Sequence, residues 1–141
     1  MNAPFTVVLV DDDEGHAALV RANLERSGIE GDFMHFSSGR KAVEFLTTQA
    51  KGVFLVLLDI NMPGWDGHQV LQALRANPRT QSLPVIVLTT AEDEKEVARC
   101  YTLGCNFYMP KPMEYPDLCE SMKNLRLFLG AVSLPPLPSA A

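Results

Sequence analysis

The sequence predicts an α/β domain built on one parallel five-stranded sheet with helices on both faces. Two observations carry that expectation. Short β-branched runs without polar interruption recur along the chain, as they do where strands are buried on both faces. Between them lie segments whose apolar residues follow helical spacing, and such alternation requires parallel strands joined by crossover helices.

The first strand is read at Phe5 to Val10 (FTVVLV), and Ala17, Leu19, Val20 and Leu24 mark the helix after it. A weaker run, Gly31 to Phe36, supplies the second strand, followed by helical spacing at Ala42, Val43, Phe45 and Leu46. Val53 to Leu58 (VFLVLL) is the third strand, with Val70, Leu71 and Leu74 on its helix. Pro84 to Leu88 (PVIVL) is the fourth and precedes a helical stretch from Glu92 to Leu103. Asn106 to Met109 and the stretch Glu114 to Leu129 complete five strand-then-helix units. Gly28, Gly39, Gly52, Pro63-Gly64, Asn77-Pro78, Gly104 and Pro112 punctuate them. The arrangement expected is doubly wound and flavodoxin-like, (βα)5, with strand order 2-1-3-4-5. Residues 1–129 form this domain, and residues 130–141, uncharged and with three prolines, form a tail.

A chain of 141 residues with 47% hydrophobic and 21% charged residues has the balance of a single globular core. Twelve Lys plus Arg against seventeen Asp plus Glu give a net charge of −5, a field that repels phosphate backbones and anionic lipid. Direct DNA binding and membrane binding are therefore not expected. The apolar run from Val53 to Leu58 is far short of the roughly 20 residues that span a bilayer, and Met1 to Asp13 has no leader pattern, so a cytoplasmic location is expected. Cys100, Cys105 and Cys119 are odd in number and match no zinc spacing; they read as small, reduced core residues.

In doubly wound sheets the functional crevice opens at the carboxyl ends of the strands, here between the first and third. The first strand runs into Asp11, Asp12, Asp13 and Glu14, and the third into Asp59. Asp13 and Glu14 suit the start of the next helix, whose dipole favours acids. Asp11, Asp12 and Asp59 converge instead, and like charges that close call for a hard cation with oxygen ligands, Mg²⁺ or Mn²⁺. Thr89-Thr90 follow the fourth strand and Met109-Pro110-Lys111-Pro112 the fifth, adding a hydroxyl and an ammonium to the same edge. Together these groups suit phosphoryl chemistry: carboxylates hold the metal, one attacks phosphorus, and the hydroxyl and ammonium meet the charge on the equatorial oxygens.

The acidic pair, the segment Asp59-Ile60-Asn61-Met62-Pro63-Gly64-Trp65-Asp66-Gly67, Thr89, Tyr108 and Lys111-Pro112 together resemble the receiver domain of two-component response regulators, over roughly Phe5 to Leu129. The resemblance implies that Asp59 is the phospho-acceptor, that Asp12 ligates Mg²⁺ directly and Asp11 mainly through water, and that the Asn61 backbone carbonyl is a further ligand. It implies that Thr89 and Lys111 bind the phosphoryl group and that Tyr108 takes up the space Thr89 vacates, altering the face of the fourth helix, fifth strand and fifth helix. Asn61 and Ala91 tune dephosphorylation on the same basis. The resemblance further implies that the donor is a sensor histidine kinase and that the protein catalyses only its own phosphorylation and dephosphorylation.

The flank Asp12-Asp13-Glu14-Gly15-His16 with Leu19-Val20 and Asn23-Leu24, Asn77-Pro78 and Leu88-Thr89-Thr90-Ala91 is similar to small regulators paired with bacterial phytochrome kinases, making a bacteriophytochrome the partner to test. A homodimer is expected too: Leu118, Met122, Leu125, Leu127, Phe128 and Leu129 exceed one core-facing stripe, and Val132, Leu134 and Leu137 continue the apolar strip. A phosphorelay intermediate or phosphate sink is the alternative function. A haloacid-dehalogenase-type phosphatase, with Asp11 as nucleophile and Asp13 as acid, fits less well, since Gly15 departs from its motif and no cap insertion fits. His16, His35 and His68 are assigned ordinary surface or helix-packing roles, and Asp66 the N-cap of the third helix.

Overall fold

The computed structural model describes residues 5–26, 28, 31–89, 93–110, 120, 123–125, 127 and 133–138, with Thr89 and Pro110 entering by backbone alone. Lys111, Ala91, Thr90, Cys119 and most of the expected fifth helix lie outside the described residues. The elements run β1 (Thr6–Val10), α1 (Glu14–Arg26), β2 (Asp32–Phe36), α2 (Gly39–Thr48), β3 (Phe54–Asp59), α3 (Gly67–Ala76), β4 (Val85–Thr89), α4 (Glu94–Leu103) and β5 (Phe107–Pro110). They build one sheet in the order β2-β1-β3-β4-β5, every neighbour parallel, as the alternation requires. β3, β4 and β5 extend one residue past the apolar runs, with Asp59 paired to Leu88 and Thr89 to Pro110. Hydrophobicity marks burial, whereas the ladder is a backbone property, so a polar residue can still close a strand.

Successive side chains of a strand point to opposite faces, and here both faces are covered. Val8, Val10, Val56, Leu58, Val85 and Val87 meet α2, α3 and α4 through residues such as Leu46, Leu71, Leu74 and Cys100. Val7, Leu9, Leu55, Leu57, Ile86 and Leu88 meet Ala17, Val20 and Leu24 of α1. Leu125, helical and buried, joins this second layer from the region expected to hold the fifth helix. Double burial is why the strands lack polar alternation, and each such side chain contributes about 1.5–3 kcal/mol.

The helices begin where short polar side chains can cap them. Ser38 accepts from the Lys41 N–H at the start of α2, and Asp93 from the Lys95 N–H at the start of α4, two residues beyond the expected Glu92. Asp66 caps α3 as expected and forms a reciprocal capping box with Gln69. Gly104, at φ 107°, ends α4 in the left-handed region that glycine adopts without steric cost.

The tail differs from expectation in what it touches. Pro136 forms an antiparallel bridge with Val53, and the Leu137 N–H donates to the Gly52 carbonyl at 2.8 Å. Leu137 packs on the α2–α3 layer and Leu134 on the α1 layer, so two of the three tail side chains expected to reach a second copy contact their own sheet, while Val132 lies outside the described residues. Gly52 and Val53 precede β3, which puts this segment at the end of the sheet opposite Asp59.

Candidate functional site

β1 and β3 are adjacent and in register, Val10 opposite Leu58, so the residues that follow, Asp11 and Asp59, meet at one sheet edge. Asp11 is 0% and Asp59 4% exposed, while Asp12 sits at the solvent rim. An oxygen from each of the three carboxylates lies within 4.8 Å of the others. Local backbone aims the two buried ones. The Asp13 N–H donates to Asp11 Oδ1 at 2.9 Å, and the Asn61 N–H donates to Asp59 Oδ1 at 3.2 Å. Asp13 itself is engaged elsewhere, accepting the His16 N–H on Oδ1 at 3.0 Å and the Ala17 N–H on its carbonyl at 3.0 Å, which caps α1.

Two unit charges 4.8 Å apart repel by about 3 kcal/mol at an effective dielectric of 20, and burial removes the water that would screen them. A divalent cation reverses the sign of that energy. The donor set is carboxylate oxygen throughout, which suits the hard ions Mg²⁺ and Mn²⁺ and disfavours softer metals. Asp12→Ala is expected to weaken Mg²⁺ binding at least tenfold, because it removes a carboxylate from the cluster. Asp13→Ala should leave the affinity within about twofold and cost about 1 kcal/mol of stability through the lost cap. Trp65, near Asp59 in sequence, offers a fluorescence signal for the titration; equal impairment of both variants would overturn this division of roles.

Thr89 closes β4 at the same edge, its backbone paired with Pro110. Tyr108, opposite Val87 and half-buried, packs against the α2–α3 layer. Asn61 lies exposed in the loop after β3. The start of α3 is bound to this loop by the Gly67 N–H, which donates to the Ile60 carbonyl at 2.9 Å.

The histidines have more specific partners than the surface or packing roles expected of them. His16 Nδ1 lies 2.8 Å from Asp11 Oδ2, and His35 Nε2 lies 2.7 Å from the Asp11 carbonyl oxygen, which can only accept. Both rings therefore position Asp11. The spacing Asp11 to His16, across the first turn of α1, was a local clue. The His35 contact needed the register of β2 on β1, where His35 stands opposite Leu9. His68 is buried between α3 and α4 and bonds to Glu96.

The family model of the response regulator receiver domain matches residues 7–123. The chain is a response regulator receiver domain. Response regulator Rcp1 of Synechocystis is 34% identical, over 95% of this chain and 95% of that protein. A structure described as its Mn²⁺-bound form superposes with a TM-score of 0.82 at 32% identity, covering 94% of this chain and 99% of that one. A receiver domain from Rhodospirillum rubrum has a TM-score of 0.88 at 35% identity and covers 95% of this chain and 99% of that one. The phosphorylated cyanobacterial phytochrome response regulator RcpA reaches 0.85 at 27% identity, with coverage of 94% and 99%. The haloacid-dehalogenase alternative gains nothing from these matches. In this receiver domain Asp13, its acid, caps a helix, and both oxygens of Asp11, its nucleophile, are already engaged.

Proposed function

We propose that Asp59 is the phospho-acceptor of this receiver domain and that a sensor histidine kinase supplies the phosphoryl group. The observation that supports this reading is the burial of Asp59 at the end of β3, one oxygen held by the Asn61 N–H, beside two further carboxylates. A carboxylate oxygen of Asp59 attacks phosphorus as the P–N bond of the phosphohistidine breaks, and the electron pair of that bond stays on the imidazole. The product is an acyl phosphate, a mixed anhydride that water can hydrolyse. Mg²⁺ supplies charge compensation for the carboxylates and the incoming oxygens. When bound, the ion would be held by Asp12, Asp59 and the Asn61 backbone carbonyl, with Asp11 acting mainly through water. Asn61 and Ala91 control how water reaches the acyl phosphate.

Thr89 and Lys111 then hold the phosphoryl oxygens, and Tyr108 moves into space that Thr89 leaves. A few kcal/mol of new contacts is the scale on which such a switch is biased. Lys111→Ala should therefore still take up phosphate while losing most of the phosphorylation-dependent change in the face formed by α4, β5 and the fifth helix. Amide chemical shifts of Tyr101 and Phe107 with and without phosphodonor report that change; loss of uptake instead would make Lys111 a catalytic group.

Similarity to RcpA supports a bacteriophytochrome as the kinase. Incubation with an autophosphorylated bacteriophytochrome kinase should transfer one base-labile phosphoryl group to the full chain. A chain that stays unlabelled by both kinase and small phosphodonor would overturn the reading; labelling by the phosphodonor alone would point to a different kinase. Among the described residues no helix is long and apolar enough to cross a membrane.

The protein acts as a homodimer through its fifth helix. Support comes from Leu127, helical and 67% exposed, and from the exposed Tyr101 and Phe107. Light scattering after size exclusion should give the mass of two chains at tens of micromolar, and a monomer there would end the proposal. A version ending at Leu129 tests whether the tail contributes to the interface as well as to its own sheet.

A further inference from the structure

A second convergence of donors lies between α3 and α4, different in chemistry from the acidic edge. His68 on α3 and Glu96 and Cys100 on α4 each direct one ligand atom to a common point, all within 4.8 Å of one another. Glu96 and Cys100 stand four apart, one helical turn, which stacks them on the same face of α4. Glu96 Oε1 is the shared neighbour: His68 Nε2 bonds to it, and Cys100 Sγ lies 3.9 Å from it. Cys100 is 0% exposed and belongs to the apolar layer, whereas Glu96 reaches solvent and leaves the point accessible from outside. The other ring nitrogen, His68 Nδ1, faces Asp66 Oδ1 at 3.8 Å. That separation is too long for a hydrogen bond, and Asp66 Oδ1 already accepts the Gln69 N–H at 3.0 Å, so Glu96 is the group that holds the ring.

We propose that His68, Glu96 and Cys100 form a Zn²⁺ site that clamps α3 to α4. One imidazole nitrogen, one carboxylate oxygen and one thiolate are the ligand types that Zn²⁺ accepts in tetrahedral geometry, leaving a fourth position for water. The sulfur sets this site apart from the oxygen-only cluster at Asp11, Asp12 and Asp59. Burial first, and then the Glu96 carboxylate, push the Cys100 thiol up to about 11, so without a cation the sulfur stays protonated. On binding, the S–H bond breaks, its electron pair becomes the Zn–S bond, and the proton passes to solvent. Since α4 also carries part of the proposed output face, occupancy would stiffen that helix independently of phosphorylation.

Co²⁺, a spectroscopic stand-in for Zn²⁺, tests the site on the reduced, chelator-treated full chain. Titration should produce a sulfur-to-cobalt charge-transfer absorption in the near ultraviolet with intense visible bands of tetrahedral geometry, saturating at one equivalent and displaced by Zn²⁺. Cys100→Ser should remove the charge-transfer band, and His68→Gln should weaken binding at least tenfold. Asp59→Asn and Cys105→Ser should keep the signal, which separates this site from the phosphorylation site and from the other described cysteine. No charge-transfer band in the wild type overturns the proposal and leaves a His68–Glu96 ion pair only. A band that survives His68→Gln unchanged does the same, and this variant decides the matter if Cys100→Ser fails to fold.

Discussion

Asp59→Asn is expected to eliminate phosphoryl incorporation altogether. The amide has nearly the volume of the carboxylate, and its oxygen can keep the 3.2 Å bond from the Asn61 N–H, so the loop after β3 stays in place. It lacks the nucleophilic oxygen that forms the acyl phosphate. With Mg²⁺ and acetyl phosphate, the wild type should gain one base-labile phosphoryl group by intact-mass measurement, and the variant none. Its urea midpoint should not fall, because the substitution removes one of three crowded negative charges. Labelling equal to the wild type would move the acceptor to another residue, and a lowered midpoint would show that Asp59 also supports the fold.

The second large effect is structural and falls at Gly67, the first residue of α3. A Cβ there would lie 2.6 Å from Ile60 Cα, 2.6 Å from Ile60 Cδ1 and 2.7 Å from the Asp59 carbonyl oxygen. Two of these are backbone atoms of the strand end that holds the acceptor, and they cannot rotate aside. Alanine would gain about 1 kcal/mol over glycine from helix propensity. The overlap outweighs it, since forcing atoms into a packed site typically costs 1–3 kcal/mol and here requires α3 to move off β3. A net loss of about 1–2 kcal/mol, or roughly 3–6 °C in Tm for a domain of this size, is expected for Gly67→Ala by thermal denaturation. Phosphorylation should slow as well, because Asp59 is displaced with the loop. A variant as stable as the wild type would mean that the Gly67 contact is looser than its geometry implies.

Much of this architecture was legible in the residues themselves. Three apolar runs and two weaker ones, each followed by a helical stretch, pointed to parallel strands and crossover helices because strand and helix periods are local properties. The acids at 11, 12 and 59 were legible as a site for the same reason: each directly follows or closes a buried run, and strand order brings such ends to one edge. Asp13 and Asp66 were legible as caps, since capping involves only the next few residues.

What the tertiary structure alone decided are the contacts between residues far apart in the chain. His35 reaches the Asp11 carbonyl across 24 positions, through the register of β2 on β1, and His68 reaches Glu96 across 28, through the packing of α3 on α4. No local pattern distinguishes these histidines from others on amphipathic elements. Likewise nothing local in the apolar tail told that Pro136 would bridge to Val53 of its own sheet. A side chain's polarity says whether it seeks a partner; which partner it finds depends on crossover lengths, helix rotation and strand register, and these are set by the packing of the whole core.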